Sequence, residues 1–174
     1  MNETTLRIRD LLKGSGNRLV LVESCTSGWV ASQFGMIPGI SECFCGSLVV
    51  YRNNSKNQWL EIDQAILDDP QIGPVSNRVT TELAVSVLRK TPEATIAAAI
   101  TGHLGPGAPS GQDGNIFISI ARRTISSIES VTTIPGQLKA PCPQHDLDFE
   151  ARFIRQQEAG NLLLTVLEGV STSK

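Results

Sequence analysis

An excess of positive charge is missing from this sequence: 15 Lys and Arg stand against 17 Asp and Glu, giving a formal net charge of −2. Neither a nucleic acid nor an anionic membrane surface is attracted by such a chain, which argues against a general nucleic-acid or membrane binder and leaves a small molecule as the better ligand. Long apolar runs are missing as well. None approaches the roughly 18 residues that span a bilayer, and the opening Met1-Asn2-Glu3-Thr4-Thr5 has neither the basic nor the apolar region of a signal peptide. The expected location is the cytoplasm. There the few cysteines, Cys25, Cys43, Cys45 and Cys142, stay reduced, so no disulfide framework is expected. Cys43-Phe44-Cys45 is not one of the compact metal-ligand spacings, and neither His103 nor His145 completes a set, so no metal is expected. Internal repeats, linkers and low-complexity tracts are also lacking.

What remains is the profile of one globular domain: 174 residues, 40% hydrophobic and 18% charged. Leu6, Ile8, Leu11 and Leu12 fall at near-helical spacing before a Gly14-Ser15-Gly16 stop. Arg18 to Val22 reads as a strand that gives way, through Glu23-Ser24-Cys25-Thr26-Ser27-Gly28, to a helix ending near Phe34. Cys43 to Tyr51 reads as a buried strand, followed by a helix capped by Asn53 or Asn54 and carrying Lys56. Ser76 caps a helix with an apolar stripe at Val79, Leu83 and Val87. Ala94 to Ile100 suits a central strand, and the glycine-rich loop from Gly102 to Gly111 implies a backbone that approaches something closely. Two further strands, Asn115 to Ala121 and Ser126 to Ile134, precede a last helix whose Phe149, Phe153, Leu163, Leu164 and Leu167 are available to the core. The expected architecture is α/β, a single-domain, three-layer-like fold over residues 1–174 with a central mixed sheet flanked by helices.

Three features belong together in such a fold: Ser24 at a strand-to-helix turn, Tyr51 and Lys56 at a second strand end, and the glycine-rich loop after a third. Strand ends of open α/β sheets border the ligand crevice. A serine hydroxyl needs a base, and with no histidine well placed in sequence Lys56 is the natural candidate, its pKa lowered by burial beside Tyr51. The helix N-terminus after Ser24 would offer N–H groups to an oxyanion. Each residue also has a structural alternative: Ser24 or Thr26 as a helix cap, Tyr51 as filler at the core edge, Lys56 as a solvated helix residue. Cys25 is a rival nucleophile or a buried small hydrophobe, and His103 reads as a loop residue or ligand contact.

Taken in order, Glu23-Ser24-Cys25-Thr26-Ser27-Gly28, Pro38-Gly39, Tyr51-Arg52-Asn53-Asn54-Ser55-Lys56, Gly73-Pro74-Val75-Ser76 and Thr101-Gly102 with Gly105-Pro106 resemble the C-terminal domain of the competence-and-damage-inducible CinA proteins. Members of that family include nicotinamide-nucleotide amidohydrolases. The resemblance implies hydrolysis of the carboxamide of nicotinamide mononucleotide to nicotinate mononucleotide and ammonia, without metal or cofactor. It implies a catalytic set of Ser24, Tyr51 and Lys56, substrate contacts from Thr26, Gly28, Thr101, Gly102, Gly105, Arg152 and Arg155, a homodimer, and a stand-alone domain without the N-terminal domain of longer relatives. Three departures stand out. Ser27 replaces the usual glycine, His103-Leu104 replaces a small apolar pair, and Phe149-Glu150-Ala151 occupies the place of the family's Gly-Asp-Arg. Arg152 lies next door, and a one-residue shift turns a helical side chain by about 100°. The alternative function is a non-catalytic or altered-specificity nucleotide- or small-ligand-binding domain of the same fold; a purely structural module explains the glycine-rich loop least well.

Overall fold

The computed structural model describes residues 3–172, so Met1 and Asn2 of the opening segment lie outside the described residues. In chain order the elements are α1 (Glu3–Ser15), β1 (Leu19–Glu23), α2 (Trp29–Gly35), β2 (Phe44–Val49), α3 (Asn53–Leu60), α4 (Gln64–Leu67), α5 (Asn77–Lys90), β3 (Ile96–Gly102), β4 (Asn115–Arg123), β5 (Ile128–Gln137) and α6 (Phe149–Thr172). The strands form one mixed sheet in the order β2-β1-β3-β4-β5, with β1 parallel to both neighbours and β4 and β5 antiparallel.

Strand β1 is apolar at each of its first four positions because helices cover both faces of the sheet. Leu19 and Leu21 pack with Ile8 and Leu12 of α1, Phe34 of α2, and Leu163 and Leu167 of α6. Val20 and Val22 face the opposite way, into Leu60, Leu67, Leu83 and Val87 of α3 to α5. On β3 the face toward α5 carries Ala97 and Ala99, whose small side chains let that helix lie close. The chain from β1 to β2 thus crosses one face through α2, and the chain from β2 back to β3 crosses the other through α3 to α5. This reversal beside β1 makes a topological switch point, and the crevice opens at the carboxyl ends of β1, β2 and β3.

Three local expectations are corrected. Strand β2 is a half-buried sheet edge rather than a buried strand, and only the flanking Cys43 and Val50 are fully enclosed. Helix α3 begins after Arg52 with no side-chain cap, so neither Asn53 nor Asn54 caps it. Phe149 and Phe153 are 70% and 49% exposed, because the first turns of α6 turn them toward a surface cleft while Leu163, Leu164 and Leu167 enter the core. Gly160 sits where a Cβ would collide with the ring of Trp29, and it allows α6 to rest on α2 and so fixes the height of the α6 N-terminal turns over the crevice.

Candidate active site

Ser24 leaves the end of β1 with its N–H bonded to the Ile100 carbonyl at 3.1 Å, which ties it to β3. One residue beyond the end of β2 the Val50 N–H bonds back to the Glu23 carbonyl at 2.9 Å, so α3 starts close to the same turn. Lys56, on the first turn of α3, therefore points inward and is only 2% exposed. Its Nζ donates to the Val50 carbonyl at 2.9 Å and to Ser24 Oγ at 3.4 Å. The second contact is long, as nucleophile–base contacts commonly are before substrate binds. Among the described residues no carboxylate pairs with Lys56. Burial therefore dominates and pulls its pKa down from 10.5 to about 8, with the Cys25 thiol opposing the shift.

Glu23 supplies the rigidity of this turn. Its carboxylate is fully buried and accepts from the N–H groups of Gly28 at 3.0 Å, Val30 at 3.1 Å and Ala31 at 2.9 Å, and from Ser47 Oγ at 3.2 Å. The start of α2 is thus occupied by an anion from within the protein, contrary to the expectation that it would serve a developing oxyanion. The Ser27 and Trp29 N–H groups bond to the carbonyls of Ser24 and Thr26. Among the described residues the N–H groups of Cys25 and Thr26 donate to no other residue, the Cys25 N–H lying against its own thiol, and these are the donors of the turn left for an oxyanion. Cys25 itself is buried, which pushes its thiol up to about 12 and removes it as a rival nucleophile at neutral pH. Burial also holds the His103 imidazole below its ordinary value, so it is neutral at pH 7.

The cleft over Ser24 and Lys56 has a volume of about 220 Å³, and its walls include Tyr51, Gly102, Gly105 and Arg152. Tyr51 is 52% exposed, and its phenol accepts from Arg152 Nη2 at 2.7 Å rather than meeting Lys56. The other Arg152 nitrogen, Nη1, donates to the Gly105 carbonyl, so the guanidinium ties the glycine-rich loop to Tyr51. Four residues expected to contact substrate lie outside the cleft walls. Gly28, at φ 92°, serves the turn into α2. Thr26 is buried, and its carbonyl receives Gln156 Nε2 at 2.6 Å. The Thr101 hydroxyl lies 2.7 Å from Thr80 Oγ1, whose own proton goes to the Ser76 carbonyl. Arg155 is buried in a two-pronged ion pair with Asp113 at 2.7 and 2.8 Å.

The chain matches the CinA C-terminal domain over residues 1–139. It belongs to that family. A CinA-like protein from Chlorobium phaeovibrioides is 40% identical over 122 residues, covering 69% of this chain and 28% of that protein. A putative competence-damage inducible protein from Desulforudis audaxviator is 33% identical over 135 residues, covering 76% and 32%. The chain thus spans about a third of the length of these relatives. The crystal structure of a CinA superfamily protein from Klebsiella pneumoniae shares the fold at a TM-score of 0.82 and 22% identity, covering 98% of each chain. A competence or damage-inducible protein from Enterobacter asburiae gives a TM-score of 0.71 at 26% identity, covering 95% of this chain and 96% of the other.

The matched segment ends before α6. On that helix Arg152 reaches the cleft, while Arg155 does not. Ser27 stands at φ 50°, a left-handed conformation that suits glycine and costs a serine about 1 kcal/mol. The close approaches required of Gly102 and Gly105 are to the protein's own side chains: an added Cβ would lie 2.5 Å from Ile116 Cγ2 and 2.6 Å from Cys142 Sγ. Sequence reasoning assigned no role to Glu23, Asp113 or Gln156. An acidic residue just before a helix was a usable signal for Glu23, whereas Asp113 meets Arg155 across 42 residues and left no local trace.

Proposed function

We propose that this CinA domain hydrolyses the carboxamide of nicotinamide mononucleotide to nicotinate mononucleotide and ammonia. The observation that carries this reading is the buried Lys56 amine, 3.4 Å from Ser24 Oγ and titrating near 8. At pH 7 about a tenth of such an amine is neutral, roughly 300-fold more than for an ordinary lysine, which is what a general base requires. Neutral Lys56 takes the Ser24 proton as Oγ bonds to the amide carbon, and the Cys25 and Thr26 N–H groups stabilise the oxyanion. Lys56 then returns the proton to the leaving nitrogen, the C–N bond breaks and ammonia departs. Water, losing its proton to Lys56, attacks the resulting ester and releases the carboxylate, and Ser24 regains its hydrogen. Arg152 offers its charge to the phosphate, and Tyr51 holds that guanidinium at the cleft wall.

Arg152's existing bonds to Gly105 and Tyr51 favour a second reading, a ligand-binding domain of altered specificity. Ammonia release from nicotinamide mononucleotide, measured for the wild type beside Ser24→Ala and Lys56→Ala, separates the two. Release abolished in both variants supports the amidase; no release from folded wild type that still binds the nucleotide supports the second reading.

A further inference from the structure

Beyond the Arg152–Tyr51 contact the crevice does not end. A second cleft of about 340 Å³ continues from it, sharing Cys25, Tyr51, Leu104 and Arg152 with the first and adding Phe149 and Phe153 as walls. Phe149, Arg152 and Phe153 occupy positions i, i+3 and i+4 of α6, so the cation and both rings lie on one helix face. The Phe149 ring is largely exposed and the Phe153 ring half exposed, an expensive arrangement unless something flat and apolar covers them. A mononucleotide with its carboxamide at Ser24 and its phosphate at Arg152 stops at the boundary between the clefts and leaves these rings in water.

Resting on the amidase reading, we infer that the substrate range extends past the mononucleotide to pyridine dinucleotides, with the diphosphate at Arg152 and the second base stacked in the Phe149–Phe153 cleft. The chemistry is unchanged. Water adds across the carboxamide C–N bond, giving the carboxylate dinucleotide and ammonia. Stacking on aromatic side chains suits any planar base, and the gain per stacked base corresponds to about tenfold or more in affinity.

The test is isothermal titration of the Ser24→Ala chain, which cannot turn over by the proposed route, with nicotinamide mononucleotide and with nicotinamide adenine dinucleotide. The expected result is at least about tenfold tighter binding of the dinucleotide, with the preference reduced to within about threefold when Phe149→Ala and Phe153→Ala are added. Both aromatic positions are exposed, so these changes spare the core. Equal or tighter binding of the mononucleotide overturns the inference and leaves the amidase reading standing; binding of neither overturns both. Ammonia release by the wild type gives an independent readout, in which a kcat/KM lower for the dinucleotide than for the mononucleotide also overturns the inference.

Discussion

Replacing Lys56 with methionine should make the stability difference between variant and wild type depend on pH, with a definite sign. The amine titrates near 10.5 when unfolded and near 8 in the fold. Between those values the unfolded chain binds more protons, so wild-type stability rises with pH. Below about pH 8 the wild type bears the full cost of a buried ammonium, about 3 kcal/mol for a shift of this size; above about 10.5 that cost is gone. Methionine fills similar space without a charge. Losing Nζ also strips the Val50 carbonyl of its donor, a cost of about 1 to 3 kcal/mol that is the same at every pH. The absolute difference therefore mixes two effects, and its pH dependence isolates one. Urea denaturation at pH 7 and pH 10 should show the wild type gaining about 2 to 3 kcal/mol relative to Lys56→Met. A difference that stays constant between those pH values would refute the lowered pKa, and with it the base.

Glu23→Gln should cost about 2 kcal/mol in urea denaturation, because an amide cannot accept all four hydrogen bonds now held by the carboxylate; a loss under about half a kcal/mol would show that the carboxylate does not hold the turn. Arg155→Met should cost about 1 kcal/mol at pH 7, because it leaves Asp113 without its partner while that carboxylate, 42% exposed, is partly screened by water. The Arg155 guanidinium holds the Asp113 carboxyl below its ordinary 3.8, so this stabilisation is present above that value and disappears as pH falls through the lowered one. The difference between Arg155→Met and the wild type should shrink in acid to the pH-independent loss of the Arg155 Nε bond to the Ala140 carbonyl, and a difference unchanged by pH would contradict the ion pair's role. Cys25 should remain unmodified by iodoacetamide at pH 8 in the folded protein, since its thiol titrates near 12; peptide mass mapping that finds it rapidly alkylated would restore it as a nucleophile.

The parts of the fold that sequence displays are those with strong local periodicity. The stripe of Val79, Leu83 and Val87 is buried as its spacing implies, and the small and β-branched run into Ile100 is a central strand buried on both faces. Strand β2 misled because an apolar run carries no information about whether a second neighbour pairs with it, and here one side of the strand is the sheet edge. Phe149 and Phe153 misled for a related reason: helical spacing assigns them a shared face, but only the packing of α6 decides that this face overlooks the crevice. The convergence of Ser24 and Lys56 was readable because each follows a strand end closely in sequence. The partners of Arg155 and Thr101 were not, since Asp113 and Thr80 arrive from other elements through tertiary packing.

The pH dependence of kcat/KM for ammonia release from nicotinamide mononucleotide tests most directly whether Lys56 is the base for Ser24. The account predicts a rate that climbs about tenfold per pH unit in the acid limb and levels off above an apparent pKa near 8. A profile flat across this range, or one that bends near the imidazole value of about 6.5, would contradict it.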